Sequence, residues 1–316
     1  MHIPDGFLDA KTAISAGGLA AGGIGIALRQ MRRQLPHRKV PLLGLAAAFV
    51  FAAQMLNFPV AGGTSGHLVG GVLTAVLLGP SAAVIVLTSV LIVQCFVFAD
   101  GGVTALGANI FNMGIIGGVG GYAIYRAVSR MFPGTRGLVM AAVFAAWCST
   151  VVAAISCAGQ LALSGSVAWS VAFPAMVNVH MFIGIGEGFI TALVIVAILR
   201  ARPELLEQAT GNTATPACGP VLVFGLLISF GLALFVAPFA CSWPDGLDKV
   251  AQTLGFEHRA ATAPLIPSPI ADYHVPGISS AAVATSLAGV IGIIVAFILA
   301  FLLARALVPK PASDPH

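Results

Sequence analysis

Long apolar runs dominate this chain, and short polar or glycine-rich segments separate them. Runs of about 20 apolar residues are typical of transmembrane helices. By this criterion the sequence predicts nine spans, at about 11–30, 40–57, 67–79, 81–98, 110–128, 138–163, 174–199, 220–240 and 279–304. We therefore expect an all-α polytopic membrane protein with about nine transmembrane helices.

The apolar run 67–98 is too long for one crossing, and Gly79-Pro80 lies in its middle. Because proline removes a helix N–H donor and clashes with the preceding turn, the run divides there. The first part then covers only about 18 Å at about 1.5 Å per residue. The outer loop before it is expected to dip into the protein, where its backbone is buried or lines a cavity.

The basic residues predict the orientation, because cytoplasmic loops of membrane proteins carry an excess of lysine and arginine. With the N-terminus outside and the C-terminus inside, only Lys11, Lys249 and Arg259 of the fifteen basic residues lie externally. The opposite orientation would reverse this ratio. We therefore expect an external N-terminus and an internal C-terminus.

The spans fall into two units joined by a polar segment. Residues 1–203 form a predicted seven-span unit, and residues 204–219 are expected to be a cytoplasmic linker. Residues 220–316 form a predicted two-span hairpin. Its outer loop, about 241–277, is proline-rich and contains Pro244-Asp245-Gly246-Leu247.

Composition excludes several classes of protein. The chain is 58% hydrophobic and 8% charged, whereas soluble domains carry about 25% charged residues. Soluble globular, disordered and nucleic-acid-binding proteins are thereby excluded, and the net charge of +4 reflects orientation rather than a polyanionic partner. The sequence has no phosphate-binding GxxxxGK[ST] loop, so we expect no ATP hydrolysis by this chain and no enzyme activity.

Polar residues from distant segments are predicted to meet at the outer face. His2 lies at the external N-terminus, His67 ends a glycine-rich outer loop, and Asp100 lies in the loop Phe98–Gly102. His180 is expected about two turns below the outer end of its span, and Glu187 lies deeper. Ionisable groups at membrane depth are rare and often functional, so this mouth is the expected entry of a solute.

Met1 and His2 together offer a metal chelate. The α-amine of Met1, the backbone nitrogen of His2 and a ring nitrogen of His2 can form two fused chelate rings in one plane. One further imidazole would complete a square of four nitrogens, an arrangement that favours Ni(II) or Cu(II). His67 is the natural fourth donor. The four nitrogens must be deprotonated, so binding is expected to weaken at acid pH.

Each of these residues also has a simpler interpretation. His2 could be a solvated terminal histidine, and His67 a capping or interfacial one. Asp100 beside paired glycines could form only a turn, or it could anchor the N-terminal segment or a ligand histidine. His180 could be a ligand, orient a ligand or pack in the core. Glu187 is expected to make a structural hydrogen bond.

A different class of protein also has to be considered. Gly63-Thr64-Ser65-Gly66 fits the GxSG pattern of rhomboid-like intramembrane serine proteases, in which a histidine on a later span acts as the base. Ser65 and His180 have the required order, but a dyad needs hydrogen-bond contact between them. A metal sensor that does not transport its metal is a further alternative.

Several separated motifs resemble one family, the CbiM/NikM proteins. These are the substrate-capture (S) components of nickel and cobalt energy-coupling-factor (ECF) transporters. The resemblance rests on Met1–Leu8, Gln54–Val60, Gly63–Leu68, Phe98–Gly102 with Ala105–Asn109, and His180–Thr191. The hairpin 220–316 is similar to the NikN-like auxiliary subunit with its Pro-Asp-Gly-Leu-Glu motif, although Asp248 replaces the final glutamate.

The resemblance implies a function and a ligand set. It implies an uptake component whose substrate, Ni²⁺ or Co²⁺, is held by Met1, His2 and His67, with no organic cofactor. Asn57, Ser65, Asp100 and His180 lie in the family motifs and are expected to be supporting residues. The implied partners are a membrane coupling (T) subunit and a pair of cytoplasmic ATPases, in the cytoplasmic membrane of a prokaryote.

Overall fold

The computed structural model describes residues 2–203, 218–263 and 265–308. Helices make up most of these residues. The first unit contains helices α1 (Ala10–Gln34), α2 (Val40–Gln54), α3 (Gly71–Leu78), α4 (Pro80–Phe98), α5 (Leu106–Asn109), α6 (Gly121–Met131), α7 (Gly134–Leu163) and α8 (Trp169–Ala201). A π-helical stretch, Ile110–Gly120, joins α5 to α6.

The second unit begins with α9 (Cys218–Gly231), which continues through the π-helical stretch Leu232–Val236 and the 3-10 turn Ala237–Phe239. A short helix, α10 (Gly246–Leu254), lies in the outer loop and is followed by the 3-10 turns Glu257–Arg259 and Ala271–Tyr273. The last helix is α11 (Ala281–Leu307). The predicted linker falls largely on residues 204–217, which lie outside the described residues.

Six helices in the described part of the chain are long and apolar enough to cross a membrane. They are Ala10–Gln34, Pro80–Phe98, Gly134–Leu163, Trp169–Ala201, Gly219–Phe239 and Ala281–Leu307. The other three predicted spans correspond to shorter or interrupted helices, α2, α3 and the series α5 to α6. A multi-pass membrane protein is therefore supported, while the count of nine spans and the orientation remain predictions.

The predicted break at Gly79-Pro80 is confirmed. Helix α3 ends at Leu78, Gly79 has a φ of +95°, and α4 begins at Pro80. The loop before α3 does turn inward, since residues 64–70 are all buried. The positive φ of Gly79 is accessible to glycine at little energetic penalty.

The prediction of an all-α chain misses a small β-hairpin between α2 and α3. Strands β1 (Phe58–Val60) and β2 (Thr64–Gly66) pair antiparallel, with Pro59 opposite Ser65. The turn between them contains Gly62 and Gly63, both with positive φ. Only three residues pair on each strand, too few to produce a strand pattern in the sequence.

Helix α11 connects the two units inside the helical bundle. It packs against α2 and α4, and α9 also packs against α2. A Cβ on Gly292 of α11 would lie 1.9 Å from the ring of Phe51, so the helices approach closely only because glycine stands there. Small residues permit such approach between helices in lipid, where no hydrophobic force drives them together.

Candidate metal-capture site

The N-terminal segment is fixed to the outer loops by its backbone. The Ile3 N–H donates to Oδ1 of Asn109 over 2.8 Å, and Nδ2 of Asn109 donates to the Ile3 carbonyl over 3.1 Å. The N–H of Gly102 donates to the same carbonyl over 2.9 Å. The side chains of Ile3 and Phe7 are fully buried beneath it. His2 is therefore held at a defined place inside the mouth.

The paired glycines after Asp100 allow this close contact. A Cβ on Gly102 would lie 2.2 Å from the backbone nitrogen of Asp5, a distance that no side chain could occupy. Gly101 has a φ of +89°, which favours glycine. Asp5 completes the junction, since its Oδ1 accepts hydrogen bonds from the backbone N–H and the hydroxyl of Thr104.

The two predicted ligand histidines lie face to face. The rings of His2 and His67 are stacked, with centroids 5.1 Å apart and planes inclined by 15°. Both side chains are buried. Nδ1 of His67 lies 3.0 Å from the Leu68 carbonyl, so Nδ1 carries the proton and Nε2 carries the lone pair. Residues that are 65 positions apart in the chain thus present two imidazoles to one space.

Asp100 holds the ring of His2. Its Oδ1 lies 3.1 Å from Nδ1 of His2, and Nε2 of His2 is buried with no hydrogen-bond partner among the described residues. Its Oδ2 accepts a hydrogen bond of 2.5 Å from the hydroxyl of Tyr273. The prediction that Asp100 anchors a ligand histidine fits this arrangement better than a role in a turn alone.

Both imidazoles are neutral at physiological pH in this environment. Burial lowers the pKa of His2 below its ordinary value. Burial lowers the pKa of His67 to about 3. A neutral imidazole can bind a metal ion without first losing a proton.

The outer loop of the second unit covers the loop that carries His67. The Ser65 N–H donates to the Pro244 carbonyl over 2.8 Å, and its hydroxyl donates to the Trp243 carbonyl over 2.7 Å. Asp245 caps α10, and its Oδ1 accepts from the N–H groups of Leu247 and Asp248. The Pro-Asp-Gly-Leu motif therefore begins a helix directly against β2.

His180 lies beside this pair of rings rather than within it. Its Nδ1 lies 2.8 Å from the Met176 carbonyl, and its Nε2 is buried with no partner in the part of the chain that the structure describes. A small cavity is lined by both His67 and His180. A Cβ on Gly246 would lie 3.0 Å from Nε2 of His180, so that glycine lets α10 close over the ring.

The protease alternative is not supported. The hydroxyl of Ser65 donates to the second unit's carbonyls, and Nε2 of His180 makes no hydrogen bond to any described residue, Ser65 included. A Ser–His dyad requires a hydrogen bond between nucleophile and base. Ser65 instead connects the two units.

Two further predicted residues have structural roles. The carbonyl of Asn57 accepts a 2.8 Å hydrogen bond from the N–H of Cys241, which again joins the two units. The carboxylate of Glu187 accepts from the backbone N–H groups of Val69 and Gly70, at 2.5 and 2.9 Å. The expected structural hydrogen bond of Glu187 is thus confirmed, and it fixes the turn that follows His67.

Sequence reasoning missed Trp243 and Tyr273. Both come from the second unit and reach residues more than 170 positions earlier in the chain. Tyr273 is one of only three tyrosines in the chain. That rarity within a polar outer loop was the available signal, and no motif pointed to its partner.

Met1 lies outside the described residues, so the full set of four nitrogens stays a prediction. Within the described residues, no group of three or more histidine, cysteine, aspartate or glutamate side chains could hold a metal ion.

Two family models cover most of the chain. The model described as the cobalt uptake substrate-specific transmembrane region, CbiM, matches residues 2–205. The PDGLE domain matches residues 219–308. The two matches fall on the two helical units described above.

Similar proteins span nearly the same length. A protein from Archaeoglobus fulgidus, provisionally named a fused nickel transport protein, NikMN, is 38% identical over 96% of this chain and 98% of its own length. The cobalt transport protein CbiM from Geobacter sulfurreducens is 30% identical over 84% of this chain and 81% of its own length.

Solved structures of transition metal transporters also resemble this chain. A crystal structure of a truncated transition metal transporter shares 34% identity and superposes with a TM-score of 0.58, over 63% of this chain and 99% of that one. These relatives are named as metal transport proteins rather than enzymes. The chain therefore belongs to the CbiM family of nickel and cobalt transport components and carries a fused PDGLE domain.

Proposed function

We propose that this chain is the substrate-binding membrane component of an ATP-driven, ECF-type uptake transporter for Ni²⁺, Co²⁺ or both. It captures the metal at the outer face in a four-nitrogen site. The observation that carries the proposal is the stacked pair of buried imidazoles from His2 and His67.

The proposed donors are the Met1 amine, the backbone nitrogen of His2, Nδ1 of His2 and Nε2 of His67. Only Nδ1 of His2 can close a chelate ring with its own backbone nitrogen, because Nε2 lies on the far side of the imidazole. In this structure Nδ1 lies 3.1 Å from Oδ1 of Asp100. Metal binding would therefore require the His2 side chain to reorient and its ring proton to move from Nδ1 to Nε2, so that Nδ1 binds the metal and the Nε2–H group donates to Asp100.

That arrangement is a common one at metal sites. A histidine that binds a metal usually donates its other ring N–H to a carboxylate or carbonyl, which fixes the tautomer and orients the ring. Asp100 would supply this acceptor for His2, and the Leu68 carbonyl supplies it for His67. Planar nitrogen coordination favours nickel within the pair of substrates that the relatives' names give.

The energy must come from partner proteins, since the sequence contains no phosphate-binding loop. We propose a membrane coupling subunit and a pair of cytoplasmic ATPases, acting in the cytoplasmic membrane of a prokaryote. Capture would occur under the N-terminal segment and the outer loops. Release would follow when the bundle moves against the coupling subunit and the planar geometry is lost.

The test is metal binding by purified His67→Ala protein, measured by elemental analysis after loading with nickel or cobalt. We expect affinity to fall by more than about 100-fold, because a ligand and not only its supporting partner is removed. The matched control is His258→Ala, since His258 is exposed in the outer loop. Undiminished binding by His67→Ala would contradict the site.

Transport is tested separately by nickel uptake in cells. We expect uptake only when the coupling subunit and the ATPases are expressed with this chain. Uptake by this chain alone would contradict the ATP-driven mechanism. Metal binding without uptake in the complete system would favour a metal sensor.

A further inference from the structure

Tyr273 of the second unit lies at the end of a hydrogen-bonded series that reaches the metal-capture histidine. Its hydroxyl donates to Oδ2 of Asp100 over 2.5 Å. Oδ1 of the same carboxylate lies 3.1 Å from Nδ1 of His2. One carboxylate thus joins a residue of the PDGLE domain to His2.

The ring of Tyr273 is fixed independently of its hydroxyl. It stacks on Phe98, with ring centroids 4.7 Å apart and planes inclined by 15°. Its centroid also lies 6.2 Å from that of the Phe51 ring. Phe98 ends α4, two residues before Asp100, and is fully buried. The hydroxyl therefore reaches the carboxylate from a platform formed by the first unit.

The backbone is strained at both ends of this contact. Within the described residues, only three residues other than glycine have a positive φ, and they are Ala99, Asp272 and Tyr273. Ala99 immediately precedes Asp100 in the chain. Positive φ is unfavourable for residues with a Cβ. It persists only where surrounding contacts impose it, which is common at functional sites.

Tyr273 remains a hydrogen-bond donor at physiological pH. Burial, together with the charge of Asp100, raises the pKa of its hydroxyl well above the ordinary value. The hydroxyl therefore keeps its proton and donates the hydrogen bond to the Asp100 carboxylate.

We infer that Tyr273 is a positioning residue for metal capture, which fixes the Asp100 carboxylate that serves as the hydrogen-bond acceptor of the His2 imidazole. The inference rests on the proposed function and assigns part of it to the second unit. A carboxylate fixed on one oxygen by Tyr273 presents its other oxygen to the His2 ring in one direction. Without the hydroxyl, the carboxylate can rotate and the ring loses its fixed acceptor.

The experiment compares nickel affinity of the full chain with that of Tyr273→Phe, Asp100→Asn and the double variant. Tyr273→Phe keeps the ring that stacks on Phe98 and removes only the hydroxyl. We expect its nickel affinity to fall about tenfold, the lower end of the effect of removing such supporting partners. Tyr122→Phe is the matched control, because Tyr122 lies on α6, where its ring pairs with that of Tyr125.

The double variant separates positioning from a general loss of structure. If Tyr273 acts through Asp100, the double variant binds nickel no more weakly than Asp100→Asn alone, since residues in one network are not additive. At saturating nickel, the visible d–d absorption of the planar complex should be the same in Tyr273→Phe as in the parent protein.

Three results would overturn the inference. Unchanged affinity in Tyr273→Phe would do so, and so would additive losses in the double variant, which indicate independent structural effects. If the parent protein itself binds no nickel or cobalt, the proposed function fails and this inference fails with it. If the parent binds and only Tyr273→Phe is unaffected, the proposed function stands without this residue.

Discussion

The two units contribute different kinds of groups to the outer mouth. The first unit supplies the side-chain nitrogens of His2 and His67, whose rings stack with centroids 5.1 Å apart. In the described residues, the second unit supplies backbone carbonyls, the glycine that covers His180 and the Tyr273 hydroxyl. Under the proposed function, the first unit therefore binds the metal and the second holds the binding loops in place. The fused chain would keep these two roles together.

The largest effect on metal capture is expected when the N-terminal segment is displaced from the loop that carries Gly102. In Gly102→Ala, the new Cβ would lie 2.2 Å from the backbone nitrogen of Asp5, so the segment must move. We expect a loss of about 1–3 kcal/mol in stability, as for other overpacked sites, and nickel affinity reduced by more than about tenfold, because orientation of ligands sets affinity.

The matched control for that prediction is Gly18→Ala on α1, where a Cβ meets nothing within 4 Å. Nickel titration and thermal unfolding of both variants measure the effect. Equal nickel affinity for the two variants would show that the position of the N-terminal segment does not matter for capture.

Acid is expected to lower the folding stability of the metal-free protein through protonation of His67. The pKa of His67 is lowered to about 3 in the folded state, against about 6.5 in an unfolded chain. The unfolded state therefore binds more protons below pH 6.5, and stability falls as pH drops from 6.5 toward 3. Between pH 7 and pH 5 this histidine alone should contribute a loss of about 2 kcal/mol.

Thermal unfolding midpoints of the metal-free protein at pH 7 and pH 5 test this expectation. The His67→Gln variant, which cannot titrate, should lose less stability over that interval than the parent. The same loss in both proteins would show that His67 is not the group responsible.

The smallest effect is expected for Ser65→Ala, which removes one contact between the units. The Trp243 carbonyl loses its hydrogen bond, a change of about 1 kcal/mol. The backbone bond from Ser65 to the Pro244 carbonyl remains. We expect nickel affinity to stay within about threefold of the parent. A complete loss of function in this variant would return attention to Ser65 as a reactive residue.

The apolar pattern was sufficient to locate the helices, because helices in lipid must satisfy their backbone hydrogen bonds internally and therefore appear as long apolar runs. Helix α4 begins at Pro80 and α11 at Ala281, close to the predicted starts. The β-hairpin could not be predicted in this way. Its strands are three residues long, and Ser65 is held by the distant Pro244 rather than by local sequence.

For the site, the sequence indicated His2, His67 and Asp100 because ionisable residues are rare in this chain and fall on one face. It could not show which of them touch. The contact between Asp100 and His2 depends on the close packing of Gly102 against Asp5. Tyr273 reaches Asp100 across 173 positions, and only the folded second unit brings the two together.

The proposed site depends above all on the free amine of Met1 and the histidine beside it. The most direct measurement compares nickel and cobalt bound to the purified protein with its native N-terminus and with one alanine added before Met1, after mass spectrometry confirms both N-termini. The extension removes the amine from chelating range and leaves His67, Asp100 and the bundle unchanged. Our account predicts that metal occupancy collapses in the extended protein, and equal occupancy in the two would contradict it.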